Sequence, residues 1–436
     1  MYRDEEWYRL LSEINSLKSY KAIENIVPNY ILTDFQCVDL LRLLHAKRYC
    51  LFYDTGIGKT LMAGAMINAV RKENPKAKFL MIVLKSQLAQ TPEKMKDYTG
   101  LRVSCFSAES VQIKQQMFRK DFVQADIVIL THDCLNNMAV MSKIYEEKDK
   151  FCGIIIDEAH NLSNFHEAKS SMMLFSMAKQ FEYCLALTAT PTRVEAKQTA
   201  RLLYLVSRDS IDDINKQSHI IENEGLKCYT DVAVVRTRKE LNIVTNYKTS
   251  VHMIKPLAHQ VGVTGINLFQ TTKGEGAQPQ VNKLVEIIKS YPEYCKGLVY
   301  IRHHAVREYV INELDKAGIK YECINGQTPL KKRNVICKDF NSGKLDIVIT
   351  SVTEALDLDC EYIIFYEFDV NIQQMVGRGN RGLNPKQLDI HFIFTKDTGE
   401  SMFFLTNVYN RSIIIRNIMG QDMEYIRKAA LDILYS

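Results

Sequence analysis

A chain of 436 residues is longer than one ordinary domain, and its 46% apolar content is enough to give two or three domains a core each. The 56 basic against 51 acidic residues leave a net charge of +5, which permits a polyanionic partner without requiring one. Eleven cysteines are scattered with no C-x-x-C pair, against a zinc site or disulfide framework and in favour of reduced thiols in an intracellular setting. Acidic Asp4, Glu5 and Glu6 stand where a signal peptide would be basic, and no apolar run reaches membrane-spanning length, so neither export nor a membrane partner is expected.

Taken in chain order, residues 5–30 have the spacing of an amphipathic helix, with Trp7, Leu10, Leu11, Ile14 and Leu17 on one stripe, so residues 1–30 are expected to form an N-terminal brace. Residues 31–207 alternate short apolar runs with helical stretches: Tyr49–Tyr53, Phe79–Leu84, Ile127–Leu130, Gly153–Ile156 and Cys184–Leu187 read as strands. That rhythm predicts an α/β domain with a parallel sheet and crossover helices. Residues 208–276 are more polar and irregular and end in TTKGEGAQPQ, so they are expected to be a linker region. The alternation resumes over residues 277–436, with Gly297–Arg302, Tyr321–Ile324, Ile347–Thr350, Tyr362–Phe365 and Ile390–Phe394 as strands and helices from Phe403 folding back. A second α/β domain of similar design is expected.

Chemistry concentrates at two places in the first domain. DTGIGKT at residues 54–60 follows a short apolar run and precedes a helical stretch. Thr55, Gly56 and Gly58 let backbone N–H groups approach a phosphate, Lys59 supplies a cation for the β and γ phosphates, and Thr60 offers a hydroxyl to Mg²⁺. The strict loop pattern wants glycine at position 53, where this chain has Tyr53. FCGIIIDEAH at residues 151–160 then ends a buried run in two carboxylates, with Asp157 suited to hold Mg²⁺ and Glu158 to activate a water. The two motifs in this order point to hydrolysis of ATP. His132, His303 and His304 lack partners at metal-ligand spacing, and phosphate contact or plain surface placement is the expectation for them.

With both motifs and two α/β lobes, residues 31–395 resemble a superfamily 2 DEAH-box helicase or translocase. The resemblance implies two tandem RecA-like domains with the ATP cleft between them. Gln36 is placed like the glutamine that reads adenine in these motors. VLKSQLAQ at 83–90 and THD at 131–133 resemble the blocks that grip a nucleic-acid backbone, which nominates Lys85, Ser86, Thr131 and His132. LTATPTR at 187–193 resembles the motif that couples hydrolysis to strand movement. In the second lobe VYIRHH at 299–304, TSVTEALDLD at 350–359 and QQMVGRGNRG at 373–382 resemble the remaining three blocks. They nominate Arg302, Thr350 and Ser351 for nucleic acid, Asp357 and Gln374 for the nucleotide, and Arg378 and Arg381 as catalytic arginines, Arg381 being the finger that reaches the γ-phosphate. Ala355 stands where that block usually has glycine.

Within the superfamily, VVRTRKELNI at 234–243 and FNSGKLDIVITS at 340–351 are similar to the Snf2-like branch, while the phosphate loop reads more like that of restriction-type motors. The absence of long inserts gives the chain the look of compact phage-type branch-migration helicases. The implied partner is DNA, duplex or branched, bound without sequence specificity, and the implied location is the cytoplasm or nucleoid, or the host cytoplasm for a viral protein. An RNA helicase, and a non-catalytic nucleic-acid clamp with a degenerate ATP site, remain the alternatives; intact Lys59, Asp157, Glu158 and Arg381 weigh against the clamp.

Overall fold

The structure is a computed structural model that describes residues 21–106, 124–162, 169–192, 195–207, 214–243, 246–255, 277–352, 356, 358–379, 387–396, 398–421 and 423–435. The stripe from Trp7 to Leu17 lies outside them. Of the expected N-terminal helix, the described part covers Lys21–Glu24 and then gives way to a bridge between Val27 and Tyr30. Pro28 sits inside that turn, and proline cannot continue a helical hydrogen-bond ladder.

The first sheet has seven strands: β1 (Arg48–Tyr53), β2 (Lys78–Val83), β3 (Val103–Phe106), β4 (Ile127–Thr131), β5 (Phe151–Ile156), β6 (Tyr183–Leu187) and β7 (Ala233–Arg236). Their order is β3-β4-β2-β5-β6-β1-β7, and every pairing is parallel. The inner strands are almost wholly buried, as the runs RYCLFY and FCGIII require when helices cover both faces of a sheet. Gly153 is required by close packing: a Cβ there would lie 2.7 Å from the Cβ of Tyr183.

The second sheet has six strands, β8 (Tyr247–Ile254), β9 (Gly297–Tyr300), β10 (Glu322–Ile324), β11 (Ile347–Thr350), β12 (Tyr362–Phe365) and β13 (Leu388–Thr395), in the parallel order β10-β11-β9-β12-β13-β8. Val281, Leu284, Val310 and Leu314 pack with Val299, Ile349 and Ile364 in an aliphatic core. Phe365, Phe368, Phe392, Phe394 and Phe404 form an aromatic cluster, with Phe368 stacked on Phe394 at 4.3 Å between centroids. The last helix, Glu424–Tyr435, returns to β8, where Lys428 Nζ donates to Thr249 O at 2.7 Å.

Chain contacts divide the molecule after Thr237, with Thr55–Ile57 counted with the second unit. The stretch 208–276, expected as a linker region, therefore contributes a strand to each sheet: β7 to the first and β8 to the second. Both are edge strands of mixed burial, and so is β3, which the sequence also concealed. A strand with a single neighbour needs less apolar surface, so its sequence signal is weaker.

Candidate nucleotide site

Parallel strands direct their C-terminal ends, and the loops that follow, to one edge of the sheet, where open α/β folds place ligands. In the first unit β6 lies between β1 and β5. The loop after β1 and the carboxylates after β5 are therefore two strand spacings apart, roughly 10 Å, with the turn after β6 between them.

The loop is built for an anion. Gly58 has φ +102°, and a Cβ on it would come within 2.6 Å of Gln36 Nε2, so any other residue would be both strained and obstructed. Lys59 and Thr60 open the helix Lys59–Glu73, and Lys59 Nζ donates to the carbonyls of Tyr53 and Asp54 at 3.0 and 3.2 Å. Gln36 lies in the first turn of the helix Asp34–Ala46, where its Oε1 accepts from Thr33 N at 3.0 Å, which fixes the side chain beside Gly58.

Tyr53, the departure from the strict loop pattern, is fully buried; its hydroxyl donates to Asp39 at 2.7 Å. Asp39 also receives a two-point contact from Arg236, Nε at 2.8 Å and Nη2 at 2.6 Å. The end of β1, the Gln36 helix and the end of β7 are thus tied together by one buried carboxylate. Sequence gave no sign of this, because Asp39 and Arg236 are separated by 197 positions.

After β5, Asp157 and Glu158 are both buried. Asp157 Oδ2 accepts from Gln87 Nε2 at 2.9 Å and Oδ1 accepts from the Glu158 N–H at 2.9 Å. Burial, then the charge of Glu158, push the Asp157 carboxyl up to about 6, while Lys59 is the first of the groups that pull it down. Glu158 adopts φ +48°, a left-handed conformation that costs a non-glycine residue energy and recurs at functional turns. Its carboxylate lies 3.4 Å from His160 Nδ1, which also pairs with Thr188 Oγ1 at 2.7 Å and approaches Thr190 Oγ1 at 3.4 Å. The DEAH turn and the turn after β6 therefore share one polar network.

Among the described residues no group of three or more His, Cys, Asp and Glu forms a ready-made metal site. Mg²⁺ in phosphoryl-transfer sites commonly uses one or two protein groups and the substrate phosphates. Asp157, a desolvated carboxylate lacking a full counter-charge, and Thr60 at the start of its helix fit that donor set. Gln87, in a segment expected to grip nucleic acid, faces Asp157 instead. Its one signal was membership of the turn that follows β2.

The nucleic-acid candidates divide. Lys85 and Arg302 are exposed and Ser86 is half-buried. Thr131 and Thr350 are fully buried at the last positions of β4 and β11: Thr131 Oγ1 pairs with Cys134 Sγ, and Thr350 Oγ1 accepts from Val352 N. In this structure both threonine side chains bond within their own loops. His132 also turns inward, with Nε2 3.3 Å from Asp157 O. Ser351 is half-buried and accepts from Arg307 Nη1 at 3.4 Å. Gln374 is buried on the helix Ile372–Gly379. Asp357, Arg381 and the side chain of Arg378 lie outside the described residues.

Residues 14–193 match the family described as type III restriction enzyme, res subunit, and residues 280–383 match the helicase conserved C-terminal domain. With these two matches in this order the chain is similar to superfamily 2 helicases. A curated relative, SWI/SNF-related matrix-associated actin-dependent regulator of chromatin subfamily A-like protein 1 of Xenopus laevis, is 23% identical over 416 residues, covering 81% of this chain. The chain spans 40% of that relative's length. Among solved structures, S. cerevisiae Dbp5 bound to RNA and ADP BeF3 is similar over 96% of this chain and 99% of its own, with 13% identity and a TM-score of 0.59. Mycobacterium smegmatis helicase Lhr bound to ssDNA and AMP-PNP is similar over 88% of this chain and 47% of its own, with 15% identity and a TM-score of 0.58. Both likenesses concern the fold, two parallel-sheet domains of RecA type.

Proposed function

We propose that the chain is an ATP-driven DNA translocase that remodels forks or junctions. The observation that carries ATP hydrolysis is the meeting, at one sheet edge, of the Gly58–Lys59 cradle with the buried Asp157–Glu158 pair. In this reading Lys59 leaves the carbonyls of Tyr53 and Asp54 to neutralise the β and γ phosphates, and Gln36 meets the base. Thr60 and Asp157 would hold Mg²⁺, which would neutralise charge on the phosphate oxygens. Glu158, oriented by His160, accepts the proton of the attacking water, and Arg381 stabilises the charge that develops on the γ-phosphate. Arg378, Gln374 and Asp357 complete the second lobe's contribution by the resemblance of their blocks.

DNA is favoured over RNA by the Snf2-like segment VVRTRKELNI and by the curated relative, whose name places it among chromatin regulators. Branch migration rests on the lack of long inserts within the two lobes, in which they resemble phage-type motors. Lys85, Ser86, Arg302 and Ser351 would follow a phosphate backbone without reading bases. ATP turnover with duplex, single-stranded and branched DNA and with RNA in parallel tests the reading. Stimulation by branched or duplex DNA, with ATP-dependent conversion of a mobile four-way junction, is expected; stimulation by RNA alone would overturn it.

A further inference from the structure

The N-terminal ends of β2, β5 and β6 open onto a cavity of about 800 Å³ at the edge of the first sheet opposite the nucleotide site. Lys76 and Lys78 reach it from the turn into β2, Lys148 and Lys150 from the turn into β5, and Glu182 from the turn into β6. The pairing of β2 with β5 shifts register here, from Lys78 opposite Phe151 to Phe79 opposite Gly153. The extra residue, Cys152, also lines the cavity. Such a bulge re-aims the side chains around it. β5 is six residues long, so this cavity and Asp157 are on the order of 20 Å apart.

We propose that this cavity is a second anion site, which takes a compact polyphosphate on Lys76, Lys78, Lys148 and Lys150. Four lysines face two carboxylates in the lining, Asp149 and Glu182. Glu182 already has its own cation, Lys47, at 2.6 Å. Lys150 is bonded to Glu147, which Lys143 also holds at 2.8 Å. Lys78 is half-buried; burial, and next the charge of Lys150, hold its ammonium below the usual lysine range, with Asp126 and Glu147 acting the other way. An anion bridging Lys78 and Lys150 relieves that repulsion.

The chemistry selects the ligand class. Lysines act on phosphate as point charges, each meeting one oxygen, so several of them converging on one concavity suit a ligand with oxygens on more than one phosphorus. The cavity falls within the ~300–1,000 Å³ of small-molecule pockets, and its lysines converge on one concavity, whereas a nucleic-acid backbone needs an extended track.

The test uses the full chain carrying Lys59→Ala, so that the phosphate loop does not contribute, titrated calorimetrically with inorganic tripolyphosphate without divalent cation. Saturable binding at one site is expected, weakened at least tenfold by adding Lys78→Met and Lys150→Met. Lys148→Gln, an exposed change that does not threaten folding, should weaken it several-fold, and Lys78→Arg should retain it. With Lys59 intact, Lys78→Met and Lys150→Met should leave basal ATP turnover unchanged. No binding by the Lys59→Ala chain, or equal binding after the added changes, overturns the proposal. Citrate binding as tightly as tripolyphosphate overturns the assignment to phosphate, and a short DNA duplex that outcompetes tripolyphosphate reassigns the surface to nucleic acid.

Discussion

The first unit gathers Asp157, Glu158 and His160 at the C-terminal edge of its sheet, whereas the second surrounds its sheet with aromatic and aliphatic packing and pairs one of its edge carboxylates, Glu367, with His303. Glu367, after β12, accepts from both the N–H of His303 at 2.9 Å and its Nδ1 at 2.6 Å. Asp157, after β5, accepts on its oxygens from Gln87 and a backbone N–H and, buried beside Glu158, keeps a raised proton affinity. The difference teaches where chemistry is prepared. A carboxylate satisfied by its own fold stabilises that fold, and one left with unrelieved charge is poised for a cation or a proton.

The strongest way to break this comparison is at the loop. Lys59→Ala should take ATP turnover to background and weaken nucleotide binding, while Glu158→Gln should keep binding and lose roughly 10²–10⁴ in turnover, as for removal of a general base. Near-normal turnover by Glu158→Gln would falsify its role. Next, Arg381→Ala should cost about 10³ in turnover with little change in melting temperature. If melting falls and the rate survives, Arg381 is structural.

Stability should separate the units. Phe392→Ala removes a ring from the aromatic cluster and should destabilise the second unit by about 3–5 kcal/mol. Asp39→Ala leaves Arg236 and the Tyr53 hydroxyl without their shared partner; because Arg236 is 22% exposed, about 3 kcal/mol from the first unit is expected. Denaturant unfolding of each variant, followed by hydrogen exchange in both sheets, shows whether the losses stay local. A smaller effect is expected for Arg302→Ala, which should lower the dependence of log affinity for DNA on log salt by about one. An unchanged slope removes Arg302 from the backbone contacts.

The smallest prediction sharpens the contrast within the second unit. Burial, then the charge of Glu367, push the Glu400 carboxyl up to about 7. The folded chain thus holds this proton more tightly than the unfolded chain, so the group's contribution is complete below the ordinary glutamate value of 4.5 and is lost as pH rises through about 7. Glu400→Gln, which mimics the protonated acid, should reduce the fall in melting temperature between about pH 5 and about pH 8. An identical fall in both proteins would show that Glu400 does not titrate there.

The sequence by itself determined the elements that are buried on both sides. Tyr49–Tyr53, Gly153–Ile156 and Tyr362–Phe365 are continuous apolar runs because an inner parallel strand meets helices on both faces, and that constraint is local enough to read. It also determined the order of the motifs, since a glycine loop ending in lysine and threonine and a strand ending in two carboxylates need specific residue types at fixed spacing. The edge strands β3, β7 and β8 were not legible, because one neighbour and mixed exposure leave little apolar signature. Only the tertiary structure decided that Thr131 and Thr350 turn inward, that Gln87 faces Asp157, and that Tyr53 and Arg236 meet on Asp39. Those facts depend on which strands lie side by side, and a contact across 197 positions leaves no mark on the residues between.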